Sequence, residues 1–282
     1  MITRHPIYLR LREDAPNEAS ARLEREGWAL LPGAFDAGEV GALRAEIEQV
    51  YTSVPADFRN PGLPADQRED FRYEMLNRSA ACQRAVADRR LLDVVEPLLG
   101  EDCHVIANTA WRNPPREENR HGGGFWHMDA GPHVPRPKEV PWDDRIPYPV
   151  FAIGVHVLLA DCPLACGPTE VLPGSHRSGQ APPLERVKAD DLRYDDREAV
   201  VLSGAAGDVA FFVSDVWHRR RPTTEADAGR FFLQVHYGRR DVAQRLRTTR
   251  DAGQVSPEAA ARADDDRAKT VIGLHRPFFY DG

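Results

Sequence analysis

The chain has 282 residues, of which 41% are hydrophobic, and 37 Lys and Arg against 44 Asp and Glu give it a formal net charge of −7. A chain of this length can bury a large core without disulfide or metal staples. An acidic chain gains little from counterion release on DNA, so we expect no nucleic-acid partner. No apolar run reaches the roughly 18 residues of a membrane span, so we expect no membrane partner either. The N-terminal segment around Arg4, Arg10 and Arg12 has no apolar signal-peptide core, which favours a cytoplasmic protein with reduced cysteines.

Helical periodicity is concentrated in the first hundred residues. Asp36 is a predicted N-cap, and Glu39 stands three residues later as its capping-box partner. The helix that follows carries its apolar residues at helical spacing, namely Val40, Leu43, Ile47 and Val50. Ser79 and Asp88 can cap a second helical region, which ends at Gly100.

From Val105 onward the pattern changes to short apolar runs separated by glycine and proline, which is typical of a β sandwich or barrel. The runs that predict strands are Val105–Trp111, Val150–Leu159, Glu170–Leu172, Ala199–Leu202, Val209–Val213 and Phe231–Tyr237. Near the C-terminus, Ser256 and Pro257 predict the start of one more helix, Glu258 to about Lys269. The polar composition of that helix predicts a surface position.

No internal repeat and no low-complexity linker divides the chain, so we expect a single domain over residues 1–282. It consists of a helical N-terminal part (1–104), a β core that carries the site (105–240) and a C-terminal extension with a surface helix (241–282). The predicted fold class is therefore mainly β with flanking helices.

The segment Gly131–Pro149 contains six prolines, which predicts a stiff loop over a site and not a strand. We predict that this loop is a lid that closes over bound substrate, with Gly131 as its hinge. The alternative is a rigid surface crossover that only joins two strands.

A His-x-Asp pair, His127 and Asp129, is the first candidate for metal binding. In an extended segment, residues i and i+2 face the same side, so both side chains can hold one ion while Met128 points away. His218, which follows the predicted strand Val209–Val213, supplies a third candidate ligand. Two histidines and one carboxylate occupy one face of a metal and leave positions open, which suits iron(II) and oxygen chemistry. Structural zinc would need a fourth ligand.

These residues belong to four blocks whose order is specific, although each block alone is weak. The blocks are Trp126-His127-Met128-Asp129, Gly167-Pro168-Thr169-Glu170-Val171-Leu172-Pro173-Gly174-Ser175-His176, Asp215-Val216-Trp217-His218, and Arg230. Together they resemble the phytanoyl-CoA dioxygenase-like branch of the iron(II)/2-oxoglutarate-dependent oxygenases over about residues 105–240. The second block is similar to the family's "NG-x-x-x-V-x-PGSH" segment, with Cys166 where an asparagine is common.

The resemblance implies a double-stranded β-helix core, also called a jelly roll or cupin-like fold. It further implies that His127, Asp129 and His218 bind iron(II). Arg230 resembles the arginine that binds the distal carboxylate of 2-oxoglutarate, a role that suits a guanidinium fork.

Two further residues are predicted to contact the same cosubstrate. Thr169 matches a hydroxyl position that often helps to bind it in relatives, with an ordinary strand-end threonine as the alternative. His156 falls where some relatives place an aromatic wall of the pocket. The implied enzyme is a non-haem iron(II)- and 2-oxoglutarate-dependent dioxygenase that uses O2 to hydroxylate, or otherwise oxidise, an unactivated C–H bond. Its substrate is a small molecule, secondary metabolites included, and it releases succinate and carbon dioxide.

One position departs from the family pattern. Relatives often carry a small polar residue two positions after the distal histidine, where this chain has Arg220. Either Arg220 turns outward or the anion pocket is built differently. We interpret the run Arg219–Arg221 as a solvated surface patch, and the alternative is a gate that attracts an acidic substrate or group.

Strand parity adds a prediction for the interior. If Arg230 points into the barrel, then Gln234 and His236 share its face, while the alternate residues pack outward against the helices. These inward polar groups can hydrogen-bond a substrate or orient the metal site, and plain buried hydrogen bonding is the alternative. His236 is also a spare metal-ligand candidate.

The predicted substrate contacts are Arg136, Trp142, Gln234 and Trp111. Arg136 and Trp142 would offer a cation and an aromatic surface, which suit an anionic or planar small molecule. The residues do not specify the substrate further, and we expect a monomer or a homodimer.

The sequence is also compatible with two other functions. One is a cupin-like metalloenzyme that does not use 2-oxoglutarate, which would leave Arg230 and Thr169 unexplained. The other is a catalytically silent binding protein on the same scaffold, against which the intact set of candidate ligands argues. Halogenation is disfavoured because Asp129 occupies the position that a chloride would need.

Overall fold

The computed structural model describes residues 17–56, 69–116, 123–129, 131–246 and 255–275. The N-terminal segment from which we expected a cytoplasmic location lies outside these ranges. Among the described residues, every helix is too short or too polar to span a bilayer. The α-helices in these ranges are α1 (Glu18–Glu26), α2 (Ala37–Ser53), α3 (Met75–Arg78), α4 (Ala80–Val86), α5 (Arg89–Leu99), α6 (Pro257–Arg262) and α7 (Asp266–Val271). The strands are β1 (Trp28–Leu31), β2 (Phe71–Tyr73), β3 (His104–Asn113), β4 (Ala152–Leu158), β5 (Thr169–Val171), β6 (Val200–Val201), β7 (Val209–Val213), β8 (His218–Arg220) and β9 (Arg230–Gly238).

Two antiparallel sheets form the centre of the protein. The larger sheet has the strand order β1-β7-β4-β9-β3-β2, and the smaller one has the order β6-β5-β8. Side chains of both sheets pack together between them, among them Val171 of β5 and Phe212 of β7. This arrangement is the predicted double-stranded β-helix with flanking helices, so the predicted fold class is confirmed.

Alternation along β9 separates the helical core from the interior of the barrel. Phe231, Leu233 and Val235 are buried in the main core, which they share with residues of α2 and α5. Phe232 and Gln234 point the other way and line a cavity between the sheets. The predicted parity of this strand is therefore confirmed.

The predicted helix starts are also confirmed. Asp36 caps α2 in a complete capping box with Glu39, and Ser79 and Asp88 cap α4 and α5 through their side chains. The last of these helices ends at Gly100, where φ is +99°, a backbone conformation that glycine adopts without a Cβ clash.

The predicted late surface helix, 258–269, needs correction. The chain forms the two short helices α6 and α7 there, because Asp265 caps a second helix start. Ala259 and Val271 are fully buried and belong to the main core. Each of these helices is polar in mean composition but carries a narrow apolar stripe, so composition alone did not reveal that one face is buried.

The six predicted strands are present, with ends that shift by at most two residues. The short strands β1, β2 and β8 were not predicted, since runs of three or four residues carry little periodicity. The segment 131–149 has no helix or strand, which agrees with a loop. Its closure as a lid stays a prediction, as does the division of the chain at 104 and 240.

The capping box predicts a measurable loss of stability. In it, the Glu39 N–H donates to Asp36 Oδ1 at 2.9 Å, and the Asp36 N–H donates to Glu39 Oε2 at 2.8 Å. Asp36→Ala should lower the free energy of unfolding by about 0.5–2 kcal/mol, whereas Asp36→Asn, which keeps an acceptor, should lose much less. Urea denaturation of both variants measures this, and equal stability of the alanine variant and the unmodified chain would contradict it.

Candidate active site

A backbone bridge between two distant segments brings the candidate metal ligands together. His127 and His218 exchange both of their backbone hydrogen bonds, each at 2.9 Å. Side chains of directly paired antiparallel residues lie on the same face. One ligand atom each of His127, Asp129 and His218 lies within 4.8 Å of the others. Met128 packs away from them in a separate apolar cluster, as the parity argument predicts.

Hydrogen bonds set the orientation of both imidazoles. His127 Nδ1 lies 2.6 Å from the Phe125 carbonyl oxygen, and His218 Nδ1 lies 2.8 Å from that of Val216. Because a carbonyl only accepts, each Nδ1 carries the proton and each Nε2 keeps a lone pair for a metal. Asp129 Oδ1 is 3.4 Å from His218 Nε2.

This donor set fits iron(II). Two imidazole nitrogens and one carboxylate oxygen lie on one side, which matches the facial arrangement of non-haem iron sites with open positions. In the described part of the chain, these three residues are the ones that cluster for a metal. Structural zinc would need a fourth ligand.

The three candidate ligands shift one another's protonation. Burial raises the pKa of Asp129, but the nearby imidazoles of His218 and His236 outweigh burial and hold that pKa below its ordinary value. Burial lowers the pKa of His127, and the neighbouring His218 lowers it further. Burial also acts against a charged His218, but the Asp129 carboxylate raises its pKa overall. The carboxylate is therefore ionised at neutral pH, as a metal ligand must be.

Polar side chains extend from the cavity wall toward Asp129. Trp111 Nε1 donates to Gln234 Oε1 at 2.7 Å, so the Gln234 amide nitrogen faces His236 Nε2 at 3.0 Å. His236 Nε2 in turn lies 3.6 Å from Asp129 Oδ2. His236 thus lies beside the carboxylate but outside the cluster of three, while Trp111 and Gln234 line the cavity.

Arg230 reaches the same cavity, which has a volume of about 240 Å³. Its Nε donates to Asn113 Oδ1 at 3.3 Å, and its Nη1 donates to the Gly167 carbonyl at 3.0 Å. Asn113 Nδ2 donates to Asp70 Oδ2 at 3.0 Å, and the Asp70 charge is compensated by Arg116, with Nη2 and Oδ1 2.7 Å apart. Sequence reasoning missed Asp70, Asn113 and Arg116, since only the β3–β9 register places Asn113 opposite Arg230.

The Arg230 guanidinium consequently forms no ion pair in the described part of the chain, where each of its hydrogen-bond partners is neutral, and the Asp70 and Asp227 carboxylates stabilise its charge only at longer range. Burial lowers the pKa of this arginine more than those carboxylates raise it, because a desolvated cation is unfavourable. An anionic ligand would relieve that cost.

Thr169 and His156, the other predicted cosubstrate contacts, line the same cavity. His156 is buried between Phe212 and Phe232, whose ring centroids lie 5.2 and 4.4 Å from its own. Its Nε2 has no hydrogen-bond partner among the described residues. Burial, with the charge of Arg230 added, lowers the pKa of His156 well below its ordinary value, so the ring is neutral and its Nε2 is free to contact a ligand.

The interpretation of Arg219–Arg221 as a solvated patch is wrong for two of its three residues. Arg219 is 3% exposed; its Nε donates to Glu170 Oε1 at 2.6 Å, and its guanidinium covers the Trp126 ring. Arg220 is 6% exposed and lines the cavity. The reason is strand pairing, because β8 pairs with β5 and sets Glu170 directly opposite Arg219.

Arg136 and Trp142, two of the predicted substrate contacts, line a different cavity of about 800 Å³. The Arg136 guanidinium lies over the Trp142 ring at 5.5 Å, and its Nε donates to the Val140 carbonyl at 2.8 Å. Trp142 Nε1 donates to the Ile146 carbonyl at 2.6 Å. Both side chains are thus held within their own loop, away from the candidate metal ligands.

The start of this loop is tied to the segment that precedes His218. The His133 N–H donates to Asp215 Oδ2 at 2.9 Å, and the His133 ring also contacts this carboxylate. Gly131 has φ +121°, and a Cβ there would lie 2.8 Å from the His133 nitrogen and 3.2 Å from Asp215 Oδ1. Asp215 therefore links the segment that follows Asp129 to the turn before the third ligand.

Comparison with known proteins identifies the family of this chain. The family model for phytanoyl-CoA dioxygenase matches residues 23–228. Ectoine dioxygenase of Sphingopyxis alaskensis is 27% identical over 228 residues, which cover 73% of this chain and 71% of the relative. Ectoine dioxygenase of Bordetella parapertussis is 30% identical over 220 residues, or 69% of this chain and 66% of the relative.

Solved structures show the same fold at lower identity. EctD from S. alaskensis with bound Fe superimposes with a TM-score of 0.62 at 21% identity, covering 90% of this chain and 88% of that one. The non-haem α-ketoglutarate-dependent epimerase SnoN from nogalamycin biosynthesis gives a TM-score of 0.61 at 20% identity, with 84% and 92% covered.

The fold and the site define a non-haem iron(II)/2-oxoglutarate-dependent dioxygenase, with iron(II), 2-oxoglutarate and O2 as the cofactor and cosubstrates. Because the family match spans most of its length, the chain belongs to the phytanoyl-CoA dioxygenase family. This membership favours the predicted class over a cupin-like metalloenzyme without 2-oxoglutarate and over a silent binding protein.

The buried Arg219–Glu170 pair generates a stability prediction. Arg219→Ala should lower the free energy of unfolding by about 3 kcal/mol, the lower end of the cost of breaking a buried pair, because Arg221 still contacts Glu170 at 2.8 Å. The matched variant Arg221→Ala removes a side chain that is 43% exposed and should cost at most about 1 kcal/mol. Chemical denaturation compares the two, and equal losses would contradict a buried role for Arg219.

Proposed function

We propose that the protein hydroxylates an unactivated C–H bond of a compact small molecule, with conversion of 2-oxoglutarate and O2 to succinate and carbon dioxide. The observation that carries the proposal is Arg230, a partly buried guanidinium that forms no ion pair in the described part of the chain. It lines the same cavity as the three candidate metal ligands. A dicarboxylate bound between an iron ion and a guanidinium accounts for both features.

In this proposal, His127 and His218 bind iron(II) through Nε2, and Asp129 binds it through a carboxylate oxygen. Each imidazole is oriented by its Nδ1 hydrogen bond to a carbonyl, so neither ring has to rearrange to receive the ion. His236 lies beside the second oxygen of Asp129, with its Nε2 3.6 Å from Oδ2. Bound iron(II) and 2-oxoglutarate supply the oxygen activation.

The remaining residues bind and orient the organic molecules. Arg230 takes the distal carboxylate of 2-oxoglutarate bidentately, and Thr169 and His156 offer a hydroxyl and a neutral ring nitrogen to the same molecule. Trp111 and Phe232 form an aromatic wall, with parallel rings at a centroid distance of 6.1 Å. This wall excludes water and positions the substrate next to the metal.

The size of the cavity favours a compact substrate. Its volume of about 240 Å³ lies below the roughly 300–1,000 Å³ of pockets that hold drug-sized ligands. Since curated relatives are named ectoine dioxygenases, we infer a substrate class of small amino-acid-derived metabolites, with ectoine as the first candidate. An epimerase and a carbocyclase share the fold. The product of the reaction therefore has to be examined for hydroxylation, isomerisation and ring formation.

Substrate-dependent succinate formation tests the proposal. The iron(II)-loaded protein is incubated with 2-oxoglutarate, O2 and a panel of candidates that begins with ectoine and other small cyclic and acyclic amino-acid derivatives. We expect one candidate to raise succinate formation and to gain one oxygen atom by mass spectrometry, with His218→Ala as the inactive control. Succinate with an unoxidised or isomerised product would contradict hydroxylation, and absence of succinate across the panel would contradict the proposed substrate class.

The assignment of the metal ligands predicts the behaviour of three variants. His127→Ala, Asp129→Ala and His218→Ala should each abolish tight iron(II) binding and coupled turnover while the protein stays folded, because its core does not depend on the metal. Anaerobic calorimetry measures the binding and thermal melting reports the folding. His236→Ala, which keeps all three ligands, should lose about 10–100-fold in iron affinity at most; a larger loss there than in the triad variants would contradict the assignment.

The role of Arg230 predicts a selective loss of cosubstrate binding. Arg230→Ala should raise the dissociation constant of 2-oxoglutarate by about 10- to 150-fold, which corresponds to about 1.5–3 kcal/mol for a charge-assisted pair. Iron(II) affinity should be unchanged. Arg230→Lys should recover only part of the loss, since an ammonium lacks the planar fork. Calorimetric titration of the iron-loaded variants measures both constants, and an unaltered 2-oxoglutarate constant in Arg230→Ala would show that another residue is the anchor.

A further inference from the structure

Arg220 places a second guanidinium at the cosubstrate end of the cavity. It is 6% exposed and lines the cavity. Its Nη2 donates to the Cys166 carbonyl at 3.2 Å, and its Nε has no hydrogen-bond partner among the described residues. Like Arg230, it forms no ion pair with a carboxylate of the described part of the chain.

The two guanidiniums lie next to each other. Arg220 donates to the carbonyl of Cys166, and Arg230 donates to the carbonyl of the adjacent residue, Gly167. Thr169, two residues further along, is paired with Arg220 across β5 and β8 and lines the same cavity. Both cations and the threonine therefore line one cavity and are attached to neighbouring parts of its wall.

Two neighbouring cations in a desolvated cavity repel each other. Single-sign charges in a low-dielectric cleft create a strong potential for an oppositely charged ligand. A carboxylate has two oxygens with about four acceptor positions, so one carboxylate can accept hydrogen bonds from both guanidiniums at once.

We propose that Arg220 and Arg230 bind the distal carboxylate of 2-oxoglutarate jointly, and that Arg220 makes the enzyme selective for a dicarboxylic oxo acid. The inference rests on the proposed function and adds a second anchor to it. It explains why a bulky cation is tolerated in the interior two residues after His218.

The alternative ligand for Arg220 is an acidic group of the substrate. Arg220 also borders a neighbouring cavity of about 360 Å³, which Lys188 and Arg221 line as well. Binding of 2-oxoglutarate in the absence of any substrate separates the two ligands, because a substrate anchor would leave that binding unchanged.

The test compares two oxo acids on the unmodified protein and on variants of its arginines. 2-Oxoglutarate and 2-oxopentanoate, which has the same carbon chain without the distal carboxylate, are titrated calorimetrically into the anaerobic iron(II)-loaded protein. The variants are Arg220→Ser and the matched control Arg221→Ser, which removes a neighbouring positive charge whose side chain does not line the cosubstrate cavity.

Arg220→Ser should weaken 2-oxoglutarate binding by about tenfold or more, the effect of one charge-assisted contact, and 2-oxopentanoate binding by about twofold at most. Arg221→Ser should leave the dissociation constants of both oxo acids within about twofold of those of the unmodified protein, because an exposed charge is screened. The 2-oxoglutarate dissociation constant of Arg220→Lys should lie between those of Arg220→Ser and the unmodified protein.

Three results would overturn the inference. An unchanged 2-oxoglutarate constant in Arg220→Ser would remove Arg220 as an anchor while Arg230 and the proposed function stand. An equal loss for both oxo acids would show that Arg220 acts only on the structure of the pocket. If neither Arg220→Ser nor Arg230→Ala weakens 2-oxoglutarate binding, the proposed cosubstrate site fails together with the inference.

Discussion

The backbone bridge between His127 and His218 is the constraint on which the site depends. Two hydrogen bonds of 2.9 Å join segments that are far apart in the sequence, and they set two imidazoles on one face before any metal is bound. The Asp129 N–H extends this contact to the Ser214 carbonyl at 3.1 Å. The geometry of the ligands is thus determined by main-chain pairing, which is more rigid than side-chain contacts alone.

Buried positive charge is the second organising feature. Arg219 is compensated by Glu170 and Arg116 by Asp70, so these cations contribute to the structure. Arg220 and Arg230 form no such ion pair in the described part of the chain, and both line the cavity beside the triad. The cavity therefore carries unpaired positive charge at one end and the three candidate metal ligands at the other, an arrangement that suits the dicarboxylate and iron(II) of the proposed function.

Much of the fold followed from local patterns. Strand β9 alternates as its sequence predicts, because one face must enter the helical core, and α2 begins at its predicted capping box. The grouping of His127, Asp129 and His218 could be predicted because the motif and the order of the blocks are read from the sequence without knowing which strands pair. The position of Arg220 could not, since it depends on the pairing of β8 with β5. Arg136 and Trp142 are held by contacts within their own loop, and nothing in the sequence indicates which cavity a loop will face.

The central claim is that one cavity holds iron(II) and 2-oxoglutarate together, and anaerobic titration followed by visible absorption tests it directly. We expect a weak charge-transfer band only when both iron(II) and 2-oxoglutarate are present, with each saturating at one equivalent per chain. Absence of the band, or 2-oxoglutarate binding whose affinity is the same with and without iron(II), would contradict the account.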